Sequence, residues 1–84
     1  MERGIFMRQF PLCDMRTGTY GRVVRLDTEG YLRRRFMDIG LVEGTLVECL
    51  RESPAGDPKA YLIRGAVIAI RKEDAATVFV EAAV

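Results

Sequence analysis

The side chains that most often carry out enzyme chemistry are sparse in this sequence of 84 residues. It contains no histidine and has Ser53 as its one serine, so the usual base that activates a serine or cysteine nucleophile is missing. Glu73 and Asp74 are adjacent and therefore lie on different faces, as is typical of surface acids. The stretch "GTYG" (18–21) lacks the Lys-Ser/Thr of a phosphate-binding loop. The sequence therefore predicts a protein that is not an enzyme and that needs no cofactor.

The two cysteines do not form a metal-binding or redox motif. Cys13 and Cys49 are far apart in the chain, with no C-x-x-C spacing. Cys49 alternates in step with Val47, which predicts a small buried hydrophobic residue. The acidic residues are scattered, and no preorganised set of oxygen ligands is apparent. No metal site is predicted, and a weak ferrous iron carrier stays open only as an alternative function.

Three consecutive arginines at positions 33–35 raise the question of a nucleic-acid surface. The net charge is only +1, although residues 1–35 carry +4 and residues 36–84 carry −3, which predicts a two-toned surface. A barrel that binds single strands needs stacking aromatic residues interleaved with basic ones on one face. The three Tyr and four Phe of this chain are scattered instead. Nucleic acid is therefore not the expected partner, and a small nucleic-acid-binding β-barrel is kept as the alternative from another class.

The remaining sequence is organised as short β-strands. Period-two alternation of apolar residues predicts strands at 20–26, 45–51, 59–64, 66–71 and 77–81. Gly65 joins the third and fourth strands as a tight hairpin, "SPAGDP" (53–58) forms a loop, and "KEDAA" (72–76) suits one helical turn. Five short strands with little helix predict a small β-barrel, in which closure would remove the exposed strand edges.

The stretch "YLRRRFMDIGL" (31–41) predicts the one short α-helix of the fold. Asp27 or Thr28 is expected to cap its N-terminus, and Gly40 to take the left-handed position that ends it. Arg33 and Arg34 point away from the apolar side, so we interpret them as a solvated helix face. The buried stripe at a spacing of about 3.6 residues consists of Leu32, Phe36 and Ile39.

Two complementary sets of strand residues are apolar, although a barrel has only one interior. The first set is assigned to the interior: Val47, Cys49, Tyr61, Ile63, Ile68, Ile70, Val78 and Val80. The second set must be covered or exposed: Leu46, Leu50, Leu62, Val67, Ala69 and Phe79. The helix and the N-terminal Phe6, Phe10 and Leu12 are expected to cover part of it. An uncovered remainder would mark a partner or self-association face. We expect Leu46, Leu50 and Leu62 at its centre and Arg33 and Arg34 at its periphery.

The stretch "RRRFMDIGLVEGTLVECL", followed by "SPAGDPKAYLIRGAVIAIRKEDAATVFV", resembles the ferrous iron transport protein A (FeoA) family. The similarity runs from about Leu12 to Val80. It combines the Arg-Arg-apolar-apolar-Asp-apolar-Gly-apolar helix end, Gly44, the Gly-Asp-Pro loop and "GAVIAIRKEDA". The resemblance implies an SH3-like barrel as a single domain over residues 1–84, with residues 1–9 as an N-terminal extension.

The resemblance also implies a non-catalytic accessory role in ferrous iron uptake. The implied partner is the cytoplasmic side of FeoB, the large membrane transporter whose cytoplasmic part is a GTPase. The longest apolar run, Ala66 to Ile70, is far shorter than the roughly 20 residues of a membrane span, and "MERGIFMRQFPL" lacks the apolar core of a leader. These features predict a cytosolic protein without membrane insertion, in which the thiols stay reduced. The FeoA family supplies no agreed catalytic residues, so none is assigned.

Overall fold

The computed structural model describes residues 8–83. Its strands are β1 (Gln9–Pro11), β2 (Tyr20–Leu26), β3 (Leu46–Glu52), β4 (Lys59–Ile63), β5 (Ala66–Ile70) and β6 (Val78–Ala83). Its helices are α1 (Gly30–Asp38), between β2 and β3, and α2 (Lys72–Ala75), between β5 and β6. A 3₁₀ turn at Leu12–Asp14 follows β1. Phe6, which was expected to cover part of the second apolar set, lies outside the described residues, as does most of the N-terminal extension.

The six described strands form one antiparallel sheet in the order β1-β6-β2-β3-β4-β5. The mainly β class is thus confirmed, and all five predicted strands are present. The sixth strand, β1, was not predicted, because three residues are too few to show alternation; Phe10 pairs opposite Val80 of β6. Strands β1 and β5 end the sheet, so no pairing between the described strands closes it. The expectation that closure removes every exposed edge is therefore wrong for this part of the chain.

The predicted interior set forms the hydrophobic core. Seven of its eight members are buried, namely Val47, Cys49, Tyr61, Ile63, Ile70, Val78 and Val80. Ile68 is partly buried and packs against them. The 3₁₀ turn buries Leu12 completely, and Phe10 packs against the same core. The expectation that these two residues would cover the second apolar set was therefore wrong, because the chain after β1 turns inward.

Tyr61 introduces a pH dependence into this core. Its hydroxyl donates a hydrogen bond to the carbonyl oxygen of Leu12 at 3.3 Å, and burial raises the pKa of Tyr61 well above its ordinary value of 10.0. The unfolded chain therefore loses this proton at a lower pH than the folded chain does. Ionisation of Tyr61 should leave the free energy of unfolding unchanged below about pH 10. Above that pH it should lower the free energy of unfolding by up to about 1.4 kcal/mol per pH unit.

Urea unfolding of the native protein and of Tyr61→Phe, between about pH 8 and about pH 11, tests this expectation. The variant lacks the ionising hydroxyl, so its free energy of unfolding should decline less steeply at alkaline pH. Burial also raises the pKa of Cys49, but that thiol is present in both proteins and cancels in the comparison. Parallel pH profiles for the two proteins would contradict the assignment to Tyr61.

The C-terminus of α1 ends as the sequence predicts. Gly40 has a φ of +88°, its N–H bonds the carbonyl of Met37 at 3.0 Å, and the N–H of Leu41 bonds the carbonyl of Phe36 at 2.9 Å. These two bonds define a Schellman ending, in which a left-handed residue lets the chain satisfy the last helical carbonyls. Phe36 and Leu41 are both buried in the core. The predicted joint between α1 and β3 is thus confirmed.

The predicted N-terminal cap of α1 was wrong. Glu29 occupies the cap position and makes no side-chain capping bond. Thr28 is buried, with its hydroxyl 2.7 Å from the hydroxyl of Thr77, and the carboxylate of Asp27 accepts a bond from Nε of Arg25 at 2.9 Å. The local sequence would assign the hydroxyl of Thr28 to capping the helix. It is instead hydrogen-bonded to Thr77, which is 49 residues away in the chain. Such competition cannot be detected from the neighbouring residues alone.

Arg33 differs from Arg34 in its contacts. Both side chains are exposed, as expected for a solvated face. Arg33, however, donates from Nη1 to the carbonyl oxygens of Leu26 and Thr28, each at 3.3 Å. It therefore ties α1 to the end of β2, a role that the helical pattern did not reveal.

We expect Arg33→Ala to lower the free energy of unfolding by about 0.5–1 kcal/mol, because two hydrogen bonds to the backbone, one exposed and one partly buried, are lost. The neighbouring Arg34→Ala is the matched control and should stay within about 0.5 kcal/mol of the native protein. Urea melts of both variants provide the measurement. Equal stability of the two variants would mean that the Arg33 contacts contribute nothing to folding.

Candidate partner-binding face

The solvent side of β2–β5 carries the uncovered apolar residues and is named the outer face. Strand register aligns a row across four strands, in which Tyr20 pairs with Glu48, Glu48 with Leu62, and Leu62 with Val67. Residues opposite one another in a sheet share a face and interact directly. The register places the apolar residues Tyr20, Leu46, Leu62, Val67 and Ala69 on the outer face, and Leu50 adjoins them at an irregularity of β3.

Several of these side chains remain accessible to a partner. Leu46 is 43% exposed, Tyr20 44% and Val67 56%, whereas Leu50 and Leu62 are half-buried. Large apolar residues that stay exposed side by side are typical of interaction surfaces. Part of the second apolar set is thus left uncovered, and the strand register places Leu62 directly beside Val67.

Phe79, another member of the second set, is separate from this surface. It lies on β6 and is covered by the guanidinium of Arg25, which sits 4.2 Å from the centre of the ring. A cation over an aromatic ring is an attractive contact and shields the ring from water. Tyr20, in contrast, was not assigned to the face in advance. Its neighbour Gly21 is buried between Met15 and Val80. Because successive strand residues point to opposite faces, Tyr20 lies on the solvent side.

A β-bulge shapes the end of the face at Leu50. The register between β3 and β4 shifts between Cys49 and Arg51, so Leu50 has no simple partner on β4. Bulges bend a strand and redirect the side chain at that point. Leu50 is consequently half-buried rather than fully exposed.

Charged residues surround and interrupt the apolar side chains. Arg22 pairs opposite Leu46 and donates to the carbonyl oxygen of Gly44 at 2.8 Å, which fixes its position at one border. Glu48 lies within the row between Tyr20 and Leu62. An apolar centre with fixed polar neighbours is the usual composition of a protein interface.

Arg33 and Arg34 lie on α1 rather than on the outer face. Arg33 borders a separate depression, together with Met37, Val42 and Glu43. Leu46, Leu50 and Leu62 do not line that depression. The structure therefore groups Leu46, Leu50 and Leu62 on two neighbouring strands, and places Arg33 at the opposite end of β2 from Tyr20.

The loop between β3 and β4 builds a polar cavity of about 190 Å³ beside the 3₁₀ turn. Lys59 donates from Nζ to the carbonyl oxygens of Cys13 and Met15, at 2.7 and 2.8 Å. The carboxylate of Asp57 accepts the backbone N–H of Lys72 at 2.8 Å and so caps α2. These long-range roles of Lys59 and Asp57 could not be inferred from the loop sequence.

Neither thiol is activated in this environment. Burial, and secondarily the neighbouring carboxylate of Asp14, raise the pKa of Cys13, and burial raises that of Cys49. A raised pKa keeps a thiol protonated, which disfavours nucleophilic attack and metal binding. Within residues 8–83, no three His, Cys, Asp or Glu side chains come together as a metal-binding group. The same residues contain no helix of the length and hydropathy that crossing a bilayer requires.

The fold is that of a small SH3-like barrel. The crystal structure of Stenotrophomonas maltophilia FeoA complexed with zinc, described as a prokaryotic SH3 domain protein, superposes with a TM-score of 0.76 and 22% identity, covering 86% of this chain and 89% of that one. The FeoA domain model matches residues 10–82. The chain therefore belongs to the FeoA domain family, as its sequence resemblance implied.

Two further relatives extend the comparison. The FeoA-like protein of Clostridium acetobutylicum has a TM-score of 0.84 and 29% identity, covering 94% of this chain and 92% of that chain. A Fe(2+) transport protein A/Fe(2+) transporter FeoB fusion protein of Porphyromonas gingivalis is 33% identical over 70 residues, or 83% of this chain. The matched region is 8% of that fusion protein's length.

Proposed function

We propose that this protein is a non-catalytic, cytosolic accessory factor for ferrous iron uptake, which acts by docking on the cytoplasmic side of a FeoB-type transporter. The observation that carries the proposal is the fusion protein of Porphyromonas gingivalis, in which a related segment is joined to FeoB. Two units that are fused in one organism commonly act together when they are separate. Membership of the FeoA domain family supports the same role.

The outer face is the surface that we propose for docking. Leu46, Leu50 and Leu62 form its centre, and Arg33 and Arg34 make peripheral contacts. Support comes from the exposure of Leu46, from the direct pairing of Leu62 with Val67 on the next strand, and from Arg22, which borders Leu46. Self-association through the same face would compete with the transporter, since both partners would cover the same leucines.

The role is tested by transport in cells. The FeoB-type transporter encoded in the same genome is expressed in a host that lacks ferrous iron uptake, with and without this protein. Uptake of radiolabelled ferrous iron should rise when the native protein is present and should stay at the lower level with an outer-face variant. Equal uptake with and without the native protein, at matched transporter levels, would contradict an accessory role.

A further inference from the structure

Strand β5 has an open edge within residues 8–83. Among the described strands it pairs with β4 only, and it is the last strand of the sheet. Its sequence, "AVIAI", has no charge and no proline, and Val67 and Ala69 are exposed. Natural sheets normally protect such an edge with charges, prolines or a covering segment, because an open apolar edge accepts another strand.

The hairpin turn determines which backbone groups lie on that edge. Arg64 and Gly65 both have positive φ, at 49° and 86°, as in the two-residue turn that joins tightly paired strands. In such a hairpin Ala66 bonds its partner on β4, and hydrogen-bonded pairs then alternate along the ladder. Val67 and Ala69 therefore direct their N–H and C=O groups away from β4. Among the loop and turn bonds of residues 8–83, none uses these groups.

A groove of about 210 Å³ runs beside this edge, between β5 and α1, and its lining is both apolar and charged. Its apolar wall includes Phe36 from α1, Ile39 just after α1, and Ile68 and Ile70 from β5. A strand added to β5 would place alternate side chains on the side of Ile68 and Ile70, because facing residues in a sheet share a side. Those side chains would enter the groove. The edge thus offers backbone hydrogen bonds, and the groove offers apolar burial, to one and the same occupant.

Positive charges mark both ends of the edge. Arg64 precedes β5, Arg71 follows it, and Arg35 lies on the groove rim beside Arg71. Within the described residues, none of these three arginines forms an ion pair, while the acid on the same rim is Asp74. Unpaired arginines flanking an apolar strand favour an occupant with acidic ends.

The same charges disfavour a second copy of this chain as the occupant. In a second copy, β5 is again flanked by Arg64 and Arg71 rather than by acidic residues. Antiparallel pairing of two β5 strands centred on Ile68 would bring Arg64 of one copy close to Arg71 of the other, and like charges held close together repel one another. A partner segment with acidic ends lacks this repulsion.

We propose that β5 binds an extended segment of a partner protein by strand addition, and that this segment has an apolar, β-branched centre flanked by acidic residues. The centre fills the groove between β5 and α1, and the acids lie against Arg64 at one end and Arg35 and Arg71 at the other. This mode uses the edge of the sheet rather than the outer face. It does not depend on the transport role, and a transporter is only one protein that could supply such a segment.

The test uses the full chain and a capped synthetic peptide with two glutamates, a Val-Ile-Val centre and two further glutamates. On titration, NMR should show shifts of the Val67 and Ala69 amides, and exchange of both amide hydrogens should slow. Ala69→Pro removes an N–H that faces solvent, a place where an edge strand tolerates proline, and should weaken binding by about tenfold or more. The matched Ala69→Ser should bind within about twofold of the native protein, because it keeps that N–H.

A second variant covers the case in which Ala69→Pro does not fold. Arg71→Glu should weaken the acidic peptide about tenfold and improve binding of a peptide in which lysines replace the glutamates. The proposal is overturned if the acidic peptide shows no binding at about 1 mM, or if native protein binds the lysine peptide equally well. It also fails if the shifts are confined to Tyr20, Leu46 and Leu62 and spare Val67 and Ala69, or if Val67 and Ala69 become protected by self-association without peptide.

Discussion

Replacing Leu46 by glutamate should abolish binding to the FeoB-type transporter, with an affinity loss of at least about 100-fold, equivalent to about 2.8 kcal/mol. Leu46 is 43% exposed, so the free protein tolerates a carboxylate there. In the docked state the same carboxylate would be desolvated among leucines without a partner, which is costly. The thermal unfolding midpoint should shift by no more than about 6 °C, as expected for a change of under about 1 kcal/mol in a domain of this size.

Leu50→Glu should have the same effect on binding, although this half-buried side chain lies at the bulge and will cost more stability. Met37→Glu is the control for the leucine centre, because Met37 is 56% exposed but lies on α1, beside the proposed peripheral contact of Arg33 rather than among the leucines. It should retain saturable binding, with a far smaller loss of affinity than Leu46→Glu. A large fall in the midpoint of Leu46→Glu would show that Leu46 belongs to the core, and the outer face would then lose its proposed role.

Replacing Gly40 by valine should lower the free energy of unfolding by about 2 kcal/mol or more. Two costs combine at this position. A φ of +88° is unfavourable for any residue with a Cβ and more so for a branched one, and the added Cβ would meet Cδ of Arg64. The side chain of Arg64 must then move from the end of α1. Chemical denaturation of the purified variant gives the free energy directly.

Gly44→Val separates these two costs. Gly44 has nearly the same φ, +89°, but a Cβ there meets nothing within 4 Å. Gly44→Val should therefore lower the free energy of unfolding only by the cost of the left-handed backbone conformation, about 1 kcal/mol. Gly40→Asn should also be milder than valine, because asparagine tolerates the left-handed region better. Equal losses of unfolding free energy in Gly40→Val and Gly44→Val would show that the contact with Arg64 contributes nothing to the cost.

Those parts of the fold that depend on short-range pattern were predicted well. The alternation of Val47 with Cys49 and of Tyr61 with Ile63 assigned β3 and β4 and their buried sides correctly. The glycine after α1 identified its end, since few residues other than Gly40 accept that backbone conformation. The family resemblance supplied the barrel type, which the pattern of strands alone would have left among several small barrels.

The errors share a physical origin in long-range contacts. Thr28 looks like a helix cap until Thr77 is brought beside it. Leu12 looks free to cover the outer strands, but the 3₁₀ turn directs it into the core. The open edge of β5 likewise depends on strand order, which no local pattern reveals.

The candidate site was predicted only in part. Leu46 and Leu62 were correctly placed on the same side of neighbouring strands, because a period of two fixes their direction. The membership of Tyr20 required the pairing of β2 with β3. The groove beside β5 required the packing of α1, since its two walls are about 30 residues apart in the chain.

Direct binding to the purified transporter is the most decisive measurement. The FeoB-type transporter from the same genome is reconstituted in lipid nanodiscs and titrated with fluorescently labelled protein, using native, Leu46→Glu and Met37→Glu forms in parallel. We expect saturable binding by the native and Met37→Glu proteins, competition by unlabelled native protein, and loss of binding by Leu46→Glu. Absence of saturable binding by the native protein, with the transporter active and both nucleotide states tested, would contradict docking on FeoB.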